Sequence, residues 1–299
     1  MPGQTLTEIR GLLALAGLAP QHRLGQNFLI DLNLMRKLVG AGEVVSSDTV
    51  LEVGPGTGSL TECLLAQGAT VVAVEIDRGL QDLLRARLGG EARFRLVAGD
   101  ALAGKHRVSP AVVEALRSAP PRAGGHYKLV ANLPYQVATP LLIDLLLGQL
   151  PFERLACTIQ REVGERLIAE AGTEAYGVVS VLAASLADVE IVARVPATAF
   201  WPAPKVESVM LRVRPKPSDA REVADVAAFV ALVQRAFQQR RKMLRRALAE
   251  VGAAAMEACL TAAEASATSR PEDLTPAQWR RLFAALPACR AGDPPRTPR

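Results

Sequence analysis

Asn132, Leu133, Pro134 and Tyr135 form the tetrapeptide NLPY, which follows an apolar run at positions 128–131 that is typical of a buried strand. An adenine N6 amine is a poor nucleophile because its lone pair is delocalised into the ring, and two acceptors on its N–H groups favour a pyramidal nitrogen. The Asn132 side-chain oxygen and the Leu133 carbonyl can be these acceptors, since a residue before proline is extended. With the Tyr135 ring for stacking, the motif predicts chemistry on a base swung out of its stack. On its own, the motif is more often a simple Asx turn.

Three consecutive predicted strands end in glycines or acidic residues. Gly54 and Gly56 follow the first strand in a G-x-G-x-G spacing, which fits neither the dinucleotide motif nor a phosphate-binding loop. Glu75 ends the second strand and Asp100 the third, where carboxylates can accept hydrogen bonds from ribose hydroxyls and an adenine amine. With the acidic Glu52 nearby for a cationic sulfonium, this pattern predicts an S-adenosylmethionine site. Taken singly, the same residues are also typical of a tight turn and of solvated strand ends.

Phe200 and Trp201 stand in the segment FWPAPKVES, where two prolines stiffen the chain. A ring on such a rigid loop can face the second side of a base, so Phe200 is a predicted member of the base pocket. The alternative is an aromatic residue of the core beside a proline-rich connection.

A basic cluster lies in the segment FQQRRKMLRRAL, which contains no acidic residue. Its members are Arg240, Arg241, Lys242, Arg245 and Arg246. The stretch from Lys205 to Arg246 holds 11 Lys and Arg against 4 Asp and Glu, whereas the whole chain has a net charge of only +5. Like charges on one helix repel unless a polyanion offsets them, so we predict a basic helix that binds RNA phosphates. A solvated helix face is the alternative.

The elements that must position these residues alternate regularly. Short strands rich in Val, Leu and Ile, from TVLEVG onward, are separated by helical segments. This alternation predicts a doubly wound, Rossmann-like α/β sheet that is parallel and covered on both faces. The interruption at positions 101–126 is long for a loop and predicts a crossover helix with a flexible tail. Beyond Pro215, helical patterns at 223–250, 253–264 and 276–285 predict a small helical domain.

The predicted domain organisation has three parts. Residues 1–214 form a methyltransferase domain with an N-terminal helical extension at 1–48. Residues 215–290 form a helical domain that the basic cluster predicts to bind RNA. Residues 291–299, with the sequence AGDPPRTPR, form a disordered tail.

Composition argues against several other classes of protein. The chain has 299 residues and is 49% hydrophobic, which is enough for a substantial core. Its four cysteines are far apart and its three histidines have no ligand spacing with them, so we expect no structural metal and no disulfide framework. No run reaches the roughly 20 apolar residues that a membrane helix needs. The sequence predicts a cytoplasmic monomer with no membrane partner.

Seven ordered segments, spanning about Leu6 to Leu286, resemble a known family: GQNFLID, VLEVGPGTGSLT, VEID, GDAL, NLPY, FWPAPKVES and QRRKMLRRAL. With them the chain closely resembles the ribosomal RNA adenine dimethyltransferases, and most of all those of the small subunit. The resemblance implies S-adenosylmethionine-dependent transfer of two methyl groups to N6 of each of two adjacent adenines in the 3′-terminal hairpin of 16S rRNA. It places the family's cofactor residues on Asn27, Leu29, Gly54, Glu75, Asp100 and Asn132, and its base pocket on positions 132–135 and Phe200. It also implies that the helical domain at 215–290 is ribosome-binding.

Two other functions remain open from the sequence. One is an adenine N6-methyltransferase of 23S rRNA of the antibiotic-resistance type, although NLPY rather than NIPY and the extended C-terminal helices favour the small subunit. The other is an RNA-binding assembly factor that keeps the fold without catalysis. The presence of Glu75, Asp100, Asn132 and Tyr135 argues against this second alternative.

Overall fold

The structure is a computed structural model that describes residues 3–104, 107–148 and 150–286. The strands in these ranges are β1 (Phe28–Leu29), β2 (Thr49–Val53), β3 (Thr70–Glu75), β4 (Phe94–Ala98), β5 (Leu102–Ala103), β6 (Arg107–Val108), β7 (Tyr127–Asn132), β8 (Phe152–Gln160), β9 (Ala187–Val195), β10 (Phe200–Trp201) and β11 (Ser208–Pro215). The helices are α1 (Leu6–Leu15), α2 (Leu32–Gly42), α3 (Ser59–Ala66), α4 (Arg78–Leu88), α5 (Pro110–Arg117), α6 (Tyr135–Leu147), α7 (Arg161–Leu167), α8 (Val178–Leu186), α9 (Val226–Gln238), α10 (Leu244–Ala247), α11 (Ala253–Ala262) and α12 (Pro276–Ala285). None of these helices is long and apolar enough to cross a membrane.

A seven-stranded sheet organises the larger part of the chain. Its strand order is β4-β3-β2-β7-β8-β11-β9. The strands β4, β3, β2, β7 and β8 are parallel to one another, and β11 is antiparallel to β8. The predicted Rossmann-like α/β class is therefore confirmed. The order also makes the four strands that carry the predicted site motifs direct neighbours.

Helices cover both faces of the sheet. Val50 and Val71 belong to a buried cluster that includes Leu38 of α2 and Leu64 of α3. Their strand neighbours point to the opposite face, and these are also buried, as Leu51 is with no exposed surface. Burial on both faces explains why β2 and β3 read as continuous apolar runs rather than alternating ones.

The N-terminal segment packs beside the same sheet. A capping box between Thr5 and Glu8 starts α1. The helix then buries Ile9 and Leu13 against Phe28 of β1 and Leu80 of α4. Strand β1 pairs antiparallel with β10, which joins the N-terminal segment to the FWPAPKVES segment.

The chain divides into two compact units, Met1–Gly164 with Val189–Pro215, and Glu165–Asp188 with the residues from Lys216 onward. The sequence predicted that 165–188 belong to the methyltransferase domain, whereas the structure groups these residues with the second unit. The reason lies in side-chain contacts: Tyr176 is fully buried, its hydroxyl donates to the Leu274 carbonyl at 2.7 Å, and its ring lies 6.2 Å from that of Phe237. The predicted tail at 291–299 lies outside the described residues.

Two predicted elements differ in the structure. In the 101–126 interruption the predicted helix is present as α5, but it follows a short antiparallel pair, β5 with β6. The predicted helix at 223–250 is broken after Gln238, since α10 begins only at Leu244. Leu244 is fully buried and its N–H donates to the Ser269 carbonyl at 2.8 Å, so tertiary hydrogen bonding replaces the helical bond at that position.

Candidate active site

The carboxyl ends of four neighbouring parallel strands form one edge of the sheet, where ligands bind in open α/β folds. A cavity at this edge lies wholly within the first unit. It is lined by every predicted cofactor residue and by three further residues of NLPY: Asn27, Leu29, Gly54, Gly56, Glu75, Asp100, Asn132, Leu133, Pro134 and Tyr135. The structure thus brings together residues that lie more than 100 positions apart in the chain.

Glu75 is 4% exposed at the end of β3 and is held by backbone donors. Its carboxylate accepts the Asp77 N–H at 2.9 Å and the Gly56 N–H at 3.3 Å. Burial raises the pKa of Glu75 to about 7, against the lowering effect of these hydrogen bonds. The carboxylate keeps lone pairs for two further donors, as the hydroxyls of a ribose would supply.

Glu52 is a second buried carboxyl beside the cavity. It is 1% exposed and accepts a hydrogen bond from the Thr61 hydroxyl at 2.7 Å. Burial, with the nearby Glu75 charge as a smaller cause, raises the pKa of Glu52 to about 8. Two buried acids disfavour each other's charge, and a cation bound between them would offset this.

Gly54 and Gly56 both have left-handed backbone conformations, with φ of 72° and 62°. A side chain at Gly54 would meet the Pro134 ring at 3.1 Å, and one at Gly56 would meet the Phe28 ring at 2.8 Å. The glycines are therefore required by backbone conformation and by tight packing against two other parts of the cavity wall. The sequence analysis assigned these glycines to a cofactor site, with a tight turn as the alternative, and did not predict their packing against Pro134 and Phe28.

The Asn132 amide is held at both ends. Its Nδ2 donates to the Asn27 carbonyl at 2.8 Å, and its Oδ1 accepts a short hydrogen bond from the Thr158 hydroxyl. An amide oxygen has two acceptor positions, so one remains for a substrate N–H. The Leu133 N–H donates to the Thr158 carbonyl at 3.2 Å, which fixes the backbone between the two predicted acceptors.

Tyr135 begins α6 and is half-buried in the cavity wall. Its hydroxyl hydrogen-bonds that of Ser208 at 2.7 Å. Burial raises the pKa of Tyr135, so the phenol is neutral at physiological pH. One edge of the ring is anchored in this way, as a fixed stacking surface requires.

The N-terminal segment closes another side of the cavity through Asp77. One Asp77 oxygen accepts the side-chain amides of Gln21 at 2.6 Å and Gln26 at 2.9 Å. The other oxygen caps α4 by accepting the N–H groups of Gly79 and Leu80. This single carboxylate therefore fixes both the segment that carries Asn27 and the start of a sheet-packing helix.

Phe200 is the predicted base-pocket residue that the structure places elsewhere. Its side chain is 3% exposed, belongs to the hydrophobic core cluster and does not line the cavity. The reason is the alternation of side chains along β10, which turns Phe200 into the core. Trp201 faces the other way, where its ring stacks on Phe28 at 6.2 Å and lies 5.0 Å from the Arg10 guanidinium.

The five predicted RNA-binding cations all lie in the second unit, and they are not equivalent. Arg241, Lys242, Arg245 and Arg246 are exposed. Arg240 is half-buried, forms a short ion pair with Glu272 and donates to the Glu174 carbonyl at 3.0 Å. Arg240, Arg241 and Lys242 lie in the turn between α9 and α10, so the prediction of one continuous basic helix is wrong.

Sequence reasoning missed the residues that support the site. Thr158 and Ser208 orient Asn132 and Tyr135, and Asp77 anchors the N-terminal segment. The available signals were the hydroxyl of Thr158 within the apolar run of β8, that of Ser208 at the start of β11, and an Asp at a helix start. In the described ranges no three His, Cys, Asp or Glu side chains are grouped as metal ligands would be.

Comparisons with known proteins agree with this geometry. Residues 18–287 match the family model described as ribosomal RNA adenine dimethylase. A relative from Moorella thermoacetica named ribosomal RNA small subunit methyltransferase A is 41% identical, covering 84% of this chain and 85% of the relative. The crystal structure of a dimethyladenosine transferase from Plasmodium falciparum superimposes with a TM-score of 0.68 at 22% identity, over 87% of this chain and 97% of the other. The 23S rRNA methyltransferase ErmE gives a TM-score of 0.63 at 25% identity, over 87% of this chain and 99% of the other.

Proposed function

This chain belongs to the ribosomal RNA adenine dimethylase family, and we propose that it dimethylates N6 of two adjacent adenines in the 3′-terminal hairpin of 16S rRNA. One observation carries the proposal. A two-acceptor frame formed by Asn132 and Leu133 opens into the same cavity as the acidic strand ends. A nucleoside cosubstrate and a target base can therefore meet at a single sheet edge.

The donor set of the cavity fits S-adenosylmethionine. Glu75 is suited to the two ribose hydroxyls, and Asp100, with its Oδ1 fixed by the Leu102 N–H at 2.9 Å, lies at the adjacent strand end toward the adenine. Burial raises the pKa of Glu52 and of Glu75, and a cation bound beside them would favour their charged forms. When bound, S-adenosylmethionine supplies an electrophilic methyl group on sulfur.

The residues of NLPY act on the amine of the target base. Asn132 Oδ1 and the Leu133 carbonyl accept the two N–H groups, which localises the nitrogen lone pair for attack on the methyl carbon. Tyr135 holds the base by stacking, worth about 1 to 3 kcal/mol. Each side chain is itself held by the protein, so the amine is aligned at little entropic cost when it reacts.

Small-subunit rRNA is the proposed partner because of the 41% identical relative, whose name states that subunit. The exposed cations of the second unit supply positive charge for the phosphate backbone. A 23S rRNA target is the competing possibility, given the likeness to ErmE.

The test is methylation with labelled S-adenosylmethionine on three substrates: under-methylated small subunits, naked 16S rRNA and 23S rRNA. The modified base is then mapped. We expect dimethyladenine at two adjacent positions near the 3′ end of 16S rRNA. Label on 23S rRNA alone would refute the small-subunit assignment, and no label on any RNA would refute the enzymatic one.

The matched variant is Asn132→Ala. Because the acceptor is needed most when the amine becomes pyramidal, turnover should nearly disappear while rRNA affinity stays unchanged. Turnover at the native rate would contradict the proposed role of Asn132.

A further inference from the structure

Thr158 contacts the NLPY motif twice from the neighbouring strand. The parallel pairing of β7 with β8 places Thr158 directly opposite Asn132. Its hydroxyl donates to Asn132 Oδ1, and its backbone carbonyl accepts the Leu133 N–H at 3.2 Å. One residue thus touches both members of the acceptor pair.

The Thr158 hydroxyl stands in a fully apolar stretch. Thr158 has no exposed surface, and neither do its neighbours Cys157 and Ile159. A buried hydroxyl is stabilised only when it has a hydrogen-bond partner, and the partner here is the Asn132 amide. For packing alone, a valine of the same shape would serve at this position.

The two contacts of the Asn132 amide define its orientation. The Asn27 carbonyl accepts Nδ2, so an amide rotated by half a turn would set two acceptor oxygens against each other. The Thr158 hydroxyl then fixes the angle at which Oδ1 projects. Without that hydroxyl, the Asn27 contact still keeps Oδ1 on the substrate side, but the Asn132 amide can tilt and turn Oδ1 away from the reacting amine.

We propose that Thr158 is a positioning residue for methyl transfer, which acts by aiming Asn132 Oδ1 at the amine and does not touch the substrate. This inference rests on the proposed function of Asn132. It predicts an effect on the chemical step and none on the binding of either substrate, because Thr158 is not among the residues that line the cavity.

The experiment compares three variants of the full chain. Thr158→Val keeps the shape and removes the hydroxyl, and Thr158→Ser keeps the hydroxyl and removes a methyl group. Thr49→Val is the matched control, since Thr49 is also a buried strand threonine, 1% exposed, whose hydroxyl donates to the Ala119 carbonyl at 2.8 Å near the amino end of β2. For each variant we would measure kcat and KM for under-methylated small subunits, the Kd for S-adenosylhomocysteine, and Tm.

We expect Thr158→Val to lower kcat roughly tenfold, the scale of one lost hydrogen bond in the transition state, with KM and Kd unchanged. Thr158→Ser should recover most of the native kcat. Thr49→Val should have native kcat even if its Tm falls as far as that of Thr158→Val.

Three results would overturn the inference: native kcat for Thr158→Val, equal loss for the serine and valine variants, or equal loss for Thr49→Val. Asn132→Ala separates this inference from the proposed function. An inactive Asn132→Ala protein beside a fully active Thr158→Val protein would reject only the role of Thr158, whereas an active Asn132→Ala protein would reject the proposed chemistry itself.

Discussion

Replacing Glu75 with glutamine tests the ribose site at nearly constant side-chain size. The native carboxylate accepts two backbone N–H groups, from Asp77 at 2.9 Å and Gly56 at 3.3 Å, and is buried. The Glu75→Gln side chain keeps one acceptor oxygen and turns an NH₂ group toward one of these backbone donors. It therefore loses both the charge and half of the acceptor capacity.

Glu75→Gln should weaken cofactor binding strongly but change stability little at pH 8. A hydrogen bond to a charged acceptor is worth about 1.5 to 3 kcal/mol, so cofactor binding should weaken by roughly 10- to 150-fold. The Glu75 pKa is raised from 4.5 to about 7. Its contribution to folding is thus complete below about pH 4.5 and is lost as pH rises through about 7, a loss of about 3 kcal/mol. The Glu75→Gln protein has no such loss, but its NH₂ group leaves one backbone N–H without an acceptor. The two effects oppose each other, so at pH 8 its Tm should be close to that of the native protein.

Calorimetric titration with S-adenosylhomocysteine at pH 6, 7 and 8 checks the binding prediction, and Tm at the same pH values checks the stability prediction. Ribose hydroxyls need the ionised carboxylate, so native affinity should gain about tenfold from Glu75 between pH 6 and pH 8. The Glu75 charge contributes to the raised pKa of Glu52, so both proteins are also compared in a Glu52→Gln background, where the ratio of affinities with and without Glu75 isolates Glu75. A ratio near one at pH 8, or a ratio that does not change with pH, would refute the ribose assignment.

Three further predictions concern Phe200, which the structure places in the core, and the basic cluster, in which Arg240 is half-buried and the other cations are exposed. Phe200→Ala should lower the free energy of unfolding by about 3 to 5 kcal/mol in urea titration, because it empties a core position; a native value with reduced turnover would instead support base stacking. Changing Arg241, Lys242 and Arg245 together to Gln should flatten the log–log salt dependence of rRNA binding by roughly 0.7 to 0.9 per lost contact at unchanged Tm, and an unaltered slope would place the RNA contact elsewhere. Arg240→Ala should lower Tm, since its guanidinium is used inside the second unit, and an unchanged Tm would contradict that structural role.

Much of the site was predictable from local sequence. Each parallel strand is a short apolar run that ends in a glycine, an acid or an amide, so Gly54, Glu75, Asp100 and Asn132 could be placed at strand ends without knowledge of the fold. Because parallel strands share one direction, those ends had to meet at one edge. The cavity lined by all four confirms that they do.

Other features depend on contacts between distant parts of the chain. Lateral pairing of β7 with β8 brings Thr158 to Asn132, and burial of Glu75 raises its pKa to about 7. A hydrogen-bond partner or a desolvated environment comes from residues far away in sequence, which no local pattern encodes.

Local sequence patterns are sufficient to predict the alternation of strands and helices, the family resemblance and the residues at the strand ends. Contacts between distant residues, in contrast, turn Phe200 into the core, pair Arg240 with Glu272 and group positions 165–188 with the C-terminal helices. This difference arises because strand and helix periodicity is a property of neighbouring residues. The direction of a particular side chain, in contrast, depends on which surfaces remain to be buried once the elements have packed.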